Sequence, residues 1–215
     1  MMLVLAALIF AGFGPSFYFP DAQRGVLSSA LKLHGLIFSL WVLLMVIQAS
    51  LIPAGRYRIH KALGLSSPPL VAVIAVSGCF AMADAYARGV DSFGSPEQFI
   101  IVPFMDITGF VGIYLAGLLN RKRPATHKRL MLLATVYAIL PATARIGIFY
   151  FQNEMLGLFI QIALFLAVIG YDLISRRAIH PVTLIVFALS LLRVGLLFTV
   201  GPTEAWANLV RSVLG

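Results

Sequence analysis

Three histidines in this 215-residue chain lie beside or just after basic residues, at points where helices are expected to begin. His60 and His127 open the similar stretches His-Lys-Ala-Leu and His-Lys-Arg-Leu, and His180 follows Arg177 by three positions. Imidazole nitrogen is a preferred ligand of zinc, copper and iron. These histidines are therefore the candidate ligands of a metal ion or of haem b iron. Helix capping and anchoring to lipid headgroups is the alternative role for all three.

The composition places these histidines in an integral membrane protein. The chain is 60% hydrophobic, its mean hydropathy is +0.97, and only 11% of its residues are charged. Soluble domains carry about 25% charged residues, and a water-soluble fold could not bury so much apolar surface. A net charge of +8 would suit nucleic acid. The positive charges stand in short loops between apolar stretches, however, as in membrane proteins, so nucleic acid is excluded as a partner.

Seven apolar stretches are long enough to cross a bilayer, whose hydrocarbon core requires roughly 20 helical residues. The predicted fold is all-α, with transmembrane helices at 2–19, 29–53, 68–87, 98–119, 128–150, 155–175 and 181–200. Residues 1–200 form the predicted transmembrane domain, and residues 201–215 form a tail. Pro141 in the fifth span is expected to kink the helix and to free a carbonyl near Tyr137, because proline donates no backbone hydrogen bond.

The charges of the loops predict the orientation. Ten lysines and arginines lie in one set of loops and four in the other, while Arg145 and Arg193 lie inside spans. This bias predicts a cytoplasmic N-terminus and a C-terminus on the outer side. The predicted location is the bacterial inner membrane, with the lipid bilayer as the immediate partner.

Ionisable side chains inside the spans form a predicted outer layer of His34, Asp84, Asp106, Arg145 and Arg193. Each costs at least about 2.5–3.5 kcal/mol to insert, so each needs a partner or a task. Two acids at the depth of two arginines predict ion pairs, and Arg145 is expected to contact Asp84 or Asp106. Either a structural ion-pair cluster or a polar pocket for a ligand or for protons would explain this layer.

A predicted inner layer lies near the cytoplasmic ends of the spans and contains the three candidate ligands with Gln48, Asp172 and Arg176. Asp172 and Arg176 are one helical turn apart and are expected to pair. His127 and Arg145 are 18 residues apart, which is five turns, so both should project from one face of the fifth span. About 27 Å of helix separates these two residues, so they belong to different sites.

Two surfaces suggest contacts with partner subunits. The fourth span carries Gly109, Gly112 and Ala116 at spacings of three and four, which lets another helix approach closely. The tail repeats apolar residues at helical spacing from Trp206 to Leu214, which predicts an amphipathic helix on the outer surface. This helix is either a lipid-surface anchor or a docking face for a partner.

Known chemistries match these residues incompletely. Haem b between helices needs two histidines at one depth, and only the three inner histidines share one. A seven-helix zinc-dependent membrane hydrolase uses three histidines and an aspartate, as His60, His127, His180 and Asp172 would supply, but its closing His-x-x-x-His is absent from the last span. A retinal protein is excluded because the last span has no lysine. No nucleophile elbow, phosphate loop or Cys-x-x-Cys occurs, so the sequence contains no complete catalytic motif.

Residues 30–147 resemble a family of predicted bacterial integral-membrane proteins without an assigned function. The shared pattern is a histidine opening one helix, a glutamine near its end, His-x-x-Leu-Gly, and later His-Lys-Arg-Leu-Met followed by an arginine. It falls on His34, Gln48, His60, Leu63, Gly64, His127, Lys128, Arg129, Leu130, Met131 and Arg145. Helices with terminal histidines are also loosely similar to cytochrome b561-type bundles, which implies haem.

The sequence therefore predicts a non-catalytic accessory subunit or assembly factor of a larger membrane complex. The small-residue face of the fourth span, the amphipathic tail and the lack of a catalytic motif favour this function. The alternative is a haem- or ligand-binding membrane redox protein that uses His60, His127 and His180, and the third hypothesis is a zinc-dependent membrane hydrolase.

Overall fold

The computed structural model describes residues 1–20, 27–153 and 155–215, and the regular secondary structure of these residues is entirely helical. Six helical spans are long and apolar enough to cross a bilayer, and a shorter apolar helix, Met2–Tyr18, precedes them. These spans indicate a helical, multi-pass membrane protein, as the composition predicts. Arg24, one of the four basic residues assigned to the outer loops, lies outside the described residues.

The helices follow one another with short connections. They are α1 Met2–Phe13, α2 Ser29–Leu51, α3 Tyr57–Gly64, α4 Ser67–Ala87, α5 Pro96–Leu119, α6 Pro124–Tyr137, α7 Leu140–Phe151, α8 Met155–Arg176, α9 Pro181–Thr199 and α10 Glu204–Leu214. A π-helical segment, Gly14–Tyr18, extends α1. We call the end of the bundle at which α2 ends and α6 begins the basic end.

Side-chain caps and prolines determine several helix starts. The Ser28 and Ser95 hydroxyls accept hydrogen bonds from the backbone N–H groups of Leu31 (3.2 Å) and Gln98 (3.1 Å) at the starts of α2 and α5. Prolines occupy the first turns of α4, α5, α6, α7 and α9. Proline is tolerated there because the first N–H groups of a helix have no intrahelical acceptor.

The fifth predicted span is two helices rather than one. α6 ends at Tyr137 and α7 begins at Leu140, with Pro141 in its first turn. The predicted kink is therefore a break of the helix. The argument that His127 and Arg145 share a face no longer holds, since it assumed one continuous helix.

This broken span is the centre of the bundle. Of its most apolar 18-residue stretch, 56% is buried, against 22–33% in the other five long spans. α6 packs against α5 and α9, while α7 packs against α8 and α1, and α2 and α4 complete the bundle beside α5. The largest fully buried side chains are Trp41, Tyr114, Tyr137 and Phe165.

Two of the small residues of α5 lie at its contact with α6, and a third borders open space. A Cβ atom at Gly109 would collide with the Tyr137 ring, and one at Gly117 would collide with Met131. These two glycines therefore allow the close approach of α5 and α6. A Cβ atom at Gly112 would meet nothing within 4 Å.

The predicted amphipathic tail is helix α10, which is docked on the start of α5. The Trp206 indole N–H donates to the Glu97 carbonyl oxygen at 2.7 Å, the Arg211 guanidinium lies 3.1 Å from the Glu97 carboxylate, and Val210 is buried. Leu209 and Val213, by contrast, are exposed. α10 therefore uses one apolar face within the chain and leaves other apolar side chains uncovered.

Candidate functional site

The basic end brings two of the three candidate ligand histidines together. His60 lies on α3 and His127 on α6, and their partly buried rings have centroids 6.5 Å apart and planes at 84°. Metal–nitrogen bonds of about 2.0–2.1 Å place the ring centres of two imidazoles on one metal about 5 Å apart in a tetrahedral site, and about 6.4 Å apart on opposite sides of a haem iron. The separation of the His60 and His127 rings is close to the second of these distances.

The hydrogen bond of His127 determines which of its ring nitrogens is available. Its Nδ1 lies 2.8 Å from the carbonyl oxygen of Gly117, on α5. A carbonyl only accepts, so Nδ1 carries the hydrogen, and the neutral ring presents the lone pair of Nε2. Metal-ligating histidines commonly donate their other N–H to a backbone carbonyl in this way.

Gln48 completes this cluster from α2. Its Nε2 donates to the backbone carbonyl of His60 at 3.2 Å. Its Oε1 and the Nδ1 of His60 are both buried and have no hydrogen-bond partner among the described residues. A buried polar atom left unpaired costs about 1–3 kcal/mol, so a bound donor or cation would stabilise this cluster.

His180 is not part of this cluster. Its Nδ1 accepts from the Val182 N–H at 3.3 Å, which makes His180 the N-cap of α9. Burial, followed by the positive charges of Arg129 and Arg176, lowers the pKa of His180 from its usual value. Among the described residues, no three His, Cys, Asp or Glu side chains are placed to hold a metal ion.

Asp172 has a different partner from the one predicted. Its carboxylate, fully buried, forms an ion pair with Arg129 and accepts from the His180 backbone N–H (3.1 Å) and the Thr183 hydroxyl (3.0 Å). The predicted pair with Arg176 is wrong, because Asp172 faces the interior whereas Arg176 is exposed. Sequence reasoning counted Arg129 among the loop charges. Arg129 lies inside the predicted span that begins just after His127, and this position could have indicated that its side chain is buried.

The ion pair of the outer layer forms between Asp106 on α5 and Arg193 on α9. Arg193 also donates to the Tyr137 carbonyl (3.0 Å) and to Gln161 Oε1 (2.7 Å), and its guanidinium lies 4.7 Å from the Tyr137 ring centroid. Gln161 Nε2 donates to the carbonyls of Val136 and Tyr137, both at 2.9 Å.

The break at Pro141 explains this arrangement, because it frees backbone carbonyls that Arg193 and Gln161 then satisfy. Sequence reasoning anticipated the free carbonyl near Tyr137 but did not single out Gln161. An amide in the middle of an otherwise apolar span was the available signal.

Arg145 contacts neither of the two acids proposed for it, so that prediction is wrong. Its Nη1 donates to the Pro141 carbonyl at 3.0 Å, and its guanidinium lies 4.7 Å from the Phe13 ring centroid. Asp106 is already paired with Arg193. Asp84 lies near the end of α4, where it pairs with Arg88 at 2.9 Å.

The remaining residues of the outer layer make separate contacts. The Ser28 hydroxyl donates to Asp84 at 2.7 Å. His34 Nδ1 lies 3.0 Å from the Ser77 hydroxyl, whose hydrogen is directed to the Ile74 carbonyl at 3.1 Å, so His34 donates. The described part of the outer layer is therefore a set of separate pairs, not one cluster of charges.

The histidine pair at the basic end has the clearest geometry for binding a ligand. Comparison with known proteins supplies no further information about this pair. The resemblance of residues 30–147 to a membrane-protein family stays a prediction. No family model, no curated protein and no solved structure matches this chain.

Proposed function

We propose that this protein binds a transition metal at the basic end through His60 and His127, either as a free ion or as haem iron. The observation that carries the proposal is the pair of imidazole rings with centroids 6.5 Å apart. The two rings lie where α3 and α6 contact each other. Imidazole suits zinc, copper and iron.

The hydrogen bonding of the cluster supports a positively charged ligand. His127 Nε2 and Gln48 Oε1 carry lone pairs, and His60 Nδ1 carries one in the tautomer whose hydrogen is on Nε2. Gln48 Oε1 and His60 Nδ1 are buried without a hydrogen-bond partner in the part of the chain that the structure describes. A metal ion would bind such acceptor atoms directly, whereas a ligand that only accepts hydrogen bonds would not bind them.

The neighbouring charges favour haem iron over a bare ion. Lys61 and Lys128 directly follow the two histidines in the chain. Positive charges nearby raise the free energy of a divalent cation in the site. The propionate carboxylates of a haem would instead be attracted to these lysines.

The test is a visible absorption spectrum and a metal analysis of protein purified in gentle detergent and then incubated with haem or with Zn²⁺. We expect a Soret band, or bound zinc, that falls at least tenfold in His60→Gln and His127→Gln. His34→Gln is the matched control, because His34 is a partly buried helix histidine with a Ser77 partner elsewhere.

Two results would contradict metal binding at this pair. One is a wild-type protein that takes up neither haem nor zinc. The other is equal loss of the ligand in His34→Gln, because such a loss would follow from general destabilisation.

We place the basic end in the cytoplasm and the C-terminal helix on the outer side of a bacterial inner membrane. Without the buried Arg129, the lysines and arginines are still distributed nine to four between the two sides, which supports this orientation. A cytoplasmic N-terminus, which the same distribution predicts, requires the shorter apolar helix Met2–Tyr18 to act as a seventh crossing.

An accessory or assembly role in a larger membrane complex is a second proposal, compatible with metal binding. The exposed Leu209 and Val213 of α10 favour it, since they leave an apolar surface next to a docked helix. Native electrophoresis of the same preparation addresses it. Migration with further subunits supports the role, and migration as a single small particle counts against it.

A further inference from the structure

A second candidate binding site lies away from the histidine pair, in a cavity of about 350 Å³ between α5, α6 and α9. Its walls include Gly112 and Ala116 of α5, Tyr137 of α6, and Ile185 and Leu189 of α9. This volume is at the lower end of the range for ligand pockets, about 300–1,000 Å³.

The cavity opens toward the bilayer. Ile185 is 56% exposed and Leu189 is 41% exposed, and both lie within the apolar span Pro181–Thr199. Gly112 is exposed on the α5 side of the cavity, and a Cβ atom at this position would meet nothing within 4 Å. A molecule that enters at the α9 side therefore comes from the hydrocarbon layer.

The lining offers a ligand no charged group and no free hydrogen-bond donor. Its two hydroxyl groups are engaged with backbone carbonyls: Thr108 donates to Phe104 at 2.8 Å, and Tyr137 donates to Met105 at 3.2 Å. No charged residue is among the lining residues. A polar ligand would lose most of its hydrogen bonds to water here, which is unfavourable, so the ligand is apolar.

The shape of the cavity further restricts the ligand. The lining of α5 runs from Met105 to Ala116, which is about 16 Å of helix at 1.5 Å per residue. A volume of about 350 Å³ spread over that length describes a narrow groove. An α-helix, with a diameter of about 10–12 Å including its side chains, would need several times this volume over the same length.

We propose that this cavity binds one hydrocarbon chain of a membrane lipid. Such a chain is apolar, long and thin, and it is abundant at the depth of the opening. The chain would lie along Gly112, Ile185 and Leu189, which belong to the exposed part of the lining. This inference does not depend on metal binding at His60 and His127.

The experiment uses the full chain in lipid nanodiscs of phosphatidylethanolamine and phosphatidylglycerol that contain a lipid with a diazirine in its acyl chain. After irradiation, mass spectrometry maps the cross-linked peptides. We expect the highest yield in residues 105–116 and 185–189. In Gly112→Leu, whose side chain fills the cavity, we expect this yield to fall at least fivefold.

Gly170→Leu on α8 is the matched control, because a Cβ atom at Gly170 also meets nothing within 4 Å and Gly170 does not line the cavity. We expect wild-type labelling in this variant. If Gly112→Leu does not fold, Ile185→Trp at the exposed mouth provides a second test. We expect this variant to lower the labelling of residues 105–116.

Even labelling of all lipid-facing helices in the wild-type protein would overturn the proposal, since it would indicate only the surrounding lipid. Unchanged labelling in folded Gly112→Leu or Ile185→Trp would do the same.

Discussion

Two buried ion pairs show how individual residues of this protein tolerate charge inside an apolar bundle. Asp172 receives hydrogen bonds from Arg129, the His180 backbone and Thr183, so its oxygens are satisfied from α6 and from the region where α9 begins. Asp106 has a single arginine partner among the described residues, Arg193. The more completely bonded carboxylate, Asp172, is therefore the stronger structural link between helices.

Removal of Arg129 should destabilise the protein strongly. Arg129→Met leaves the fully buried Asp172 without its counter-charge, and we expect the free energy of unfolding to fall by about 3–5 kcal/mol. The double variant Arg129→Met/Asp172→Leu should recover most of this loss, because no unpaired charge remains. Chemical unfolding in detergent micelles measures both.

Arg176→Met is the control for the Arg129 prediction. Arg176 is exposed, so its loss should change the free energy of unfolding by less than about 1 kcal/mol. Similar destabilisation in Arg129→Met and Arg176→Met would show that the buried pair is not an important link.

At the scale of elements, the break between α6 and α7 organises the centre of the bundle. Pro141 cannot donate a hydrogen bond to the Tyr137 carbonyl, so that oxygen must find a partner outside the helix. Gln161 from α8 and Arg193 from α9 supply the donors. The break therefore ties three neighbouring segments together at one depth.

Gln161→Leu tests this role of the break. The substitution removes the amide that donates to the Val136 and Tyr137 carbonyls and accepts from Arg193. Each buried polar group left unpaired costs about 1–3 kcal/mol, so the free energy of unfolding should fall by at least that amount.

Gln98→Leu is the matched control for Gln161→Leu. Within residues 1–20, 27–153 and 155–215, the Gln98 side chain makes one long hydrogen bond of 3.4 Å, to the Leu197 carbonyl, in a partly buried position. Its loss should cost less than about 1 kcal/mol. Equal effects of the two substitutions would mean that the carbonyls at the break do not need Gln161.

On the scale of the whole molecule, the unequal distribution of loop charges predicts one orientation in the membrane. Cys79 is the only cysteine in the chain, so Cys79→Ser gives a background free of thiols. In that background, a membrane-impermeant maleimide should label Glu204→Cys on intact spheroplasts, and should label Lys61→Cys only after permeabilisation. The reverse pattern would show that the basic end faces outward.

The sequence by itself determined the class of the protein and most of its spans. A bilayer core demands about 20 apolar residues per helix, so length and hydropathy locate α2, α5, α8 and α9 without knowledge of their neighbours. The presence of ionisable residues inside the spans and the effect of Pro141 on the backbone were also evident, because both depend on local properties of the chain.

Only the tertiary structure decided which of these residues meet. The sequence spacing of Asp172 and Arg176 favours a pair, yet Asp172 meets Arg129 from another helix. Likewise, Asp106 forms its ion pair with Arg193 rather than with Arg145. His60 contacts His127, whereas His180 caps α9. The physical reason is that spacing defines a face within one helix, whereas contacts between helices depend on their rotation and relative depth, which packing determines.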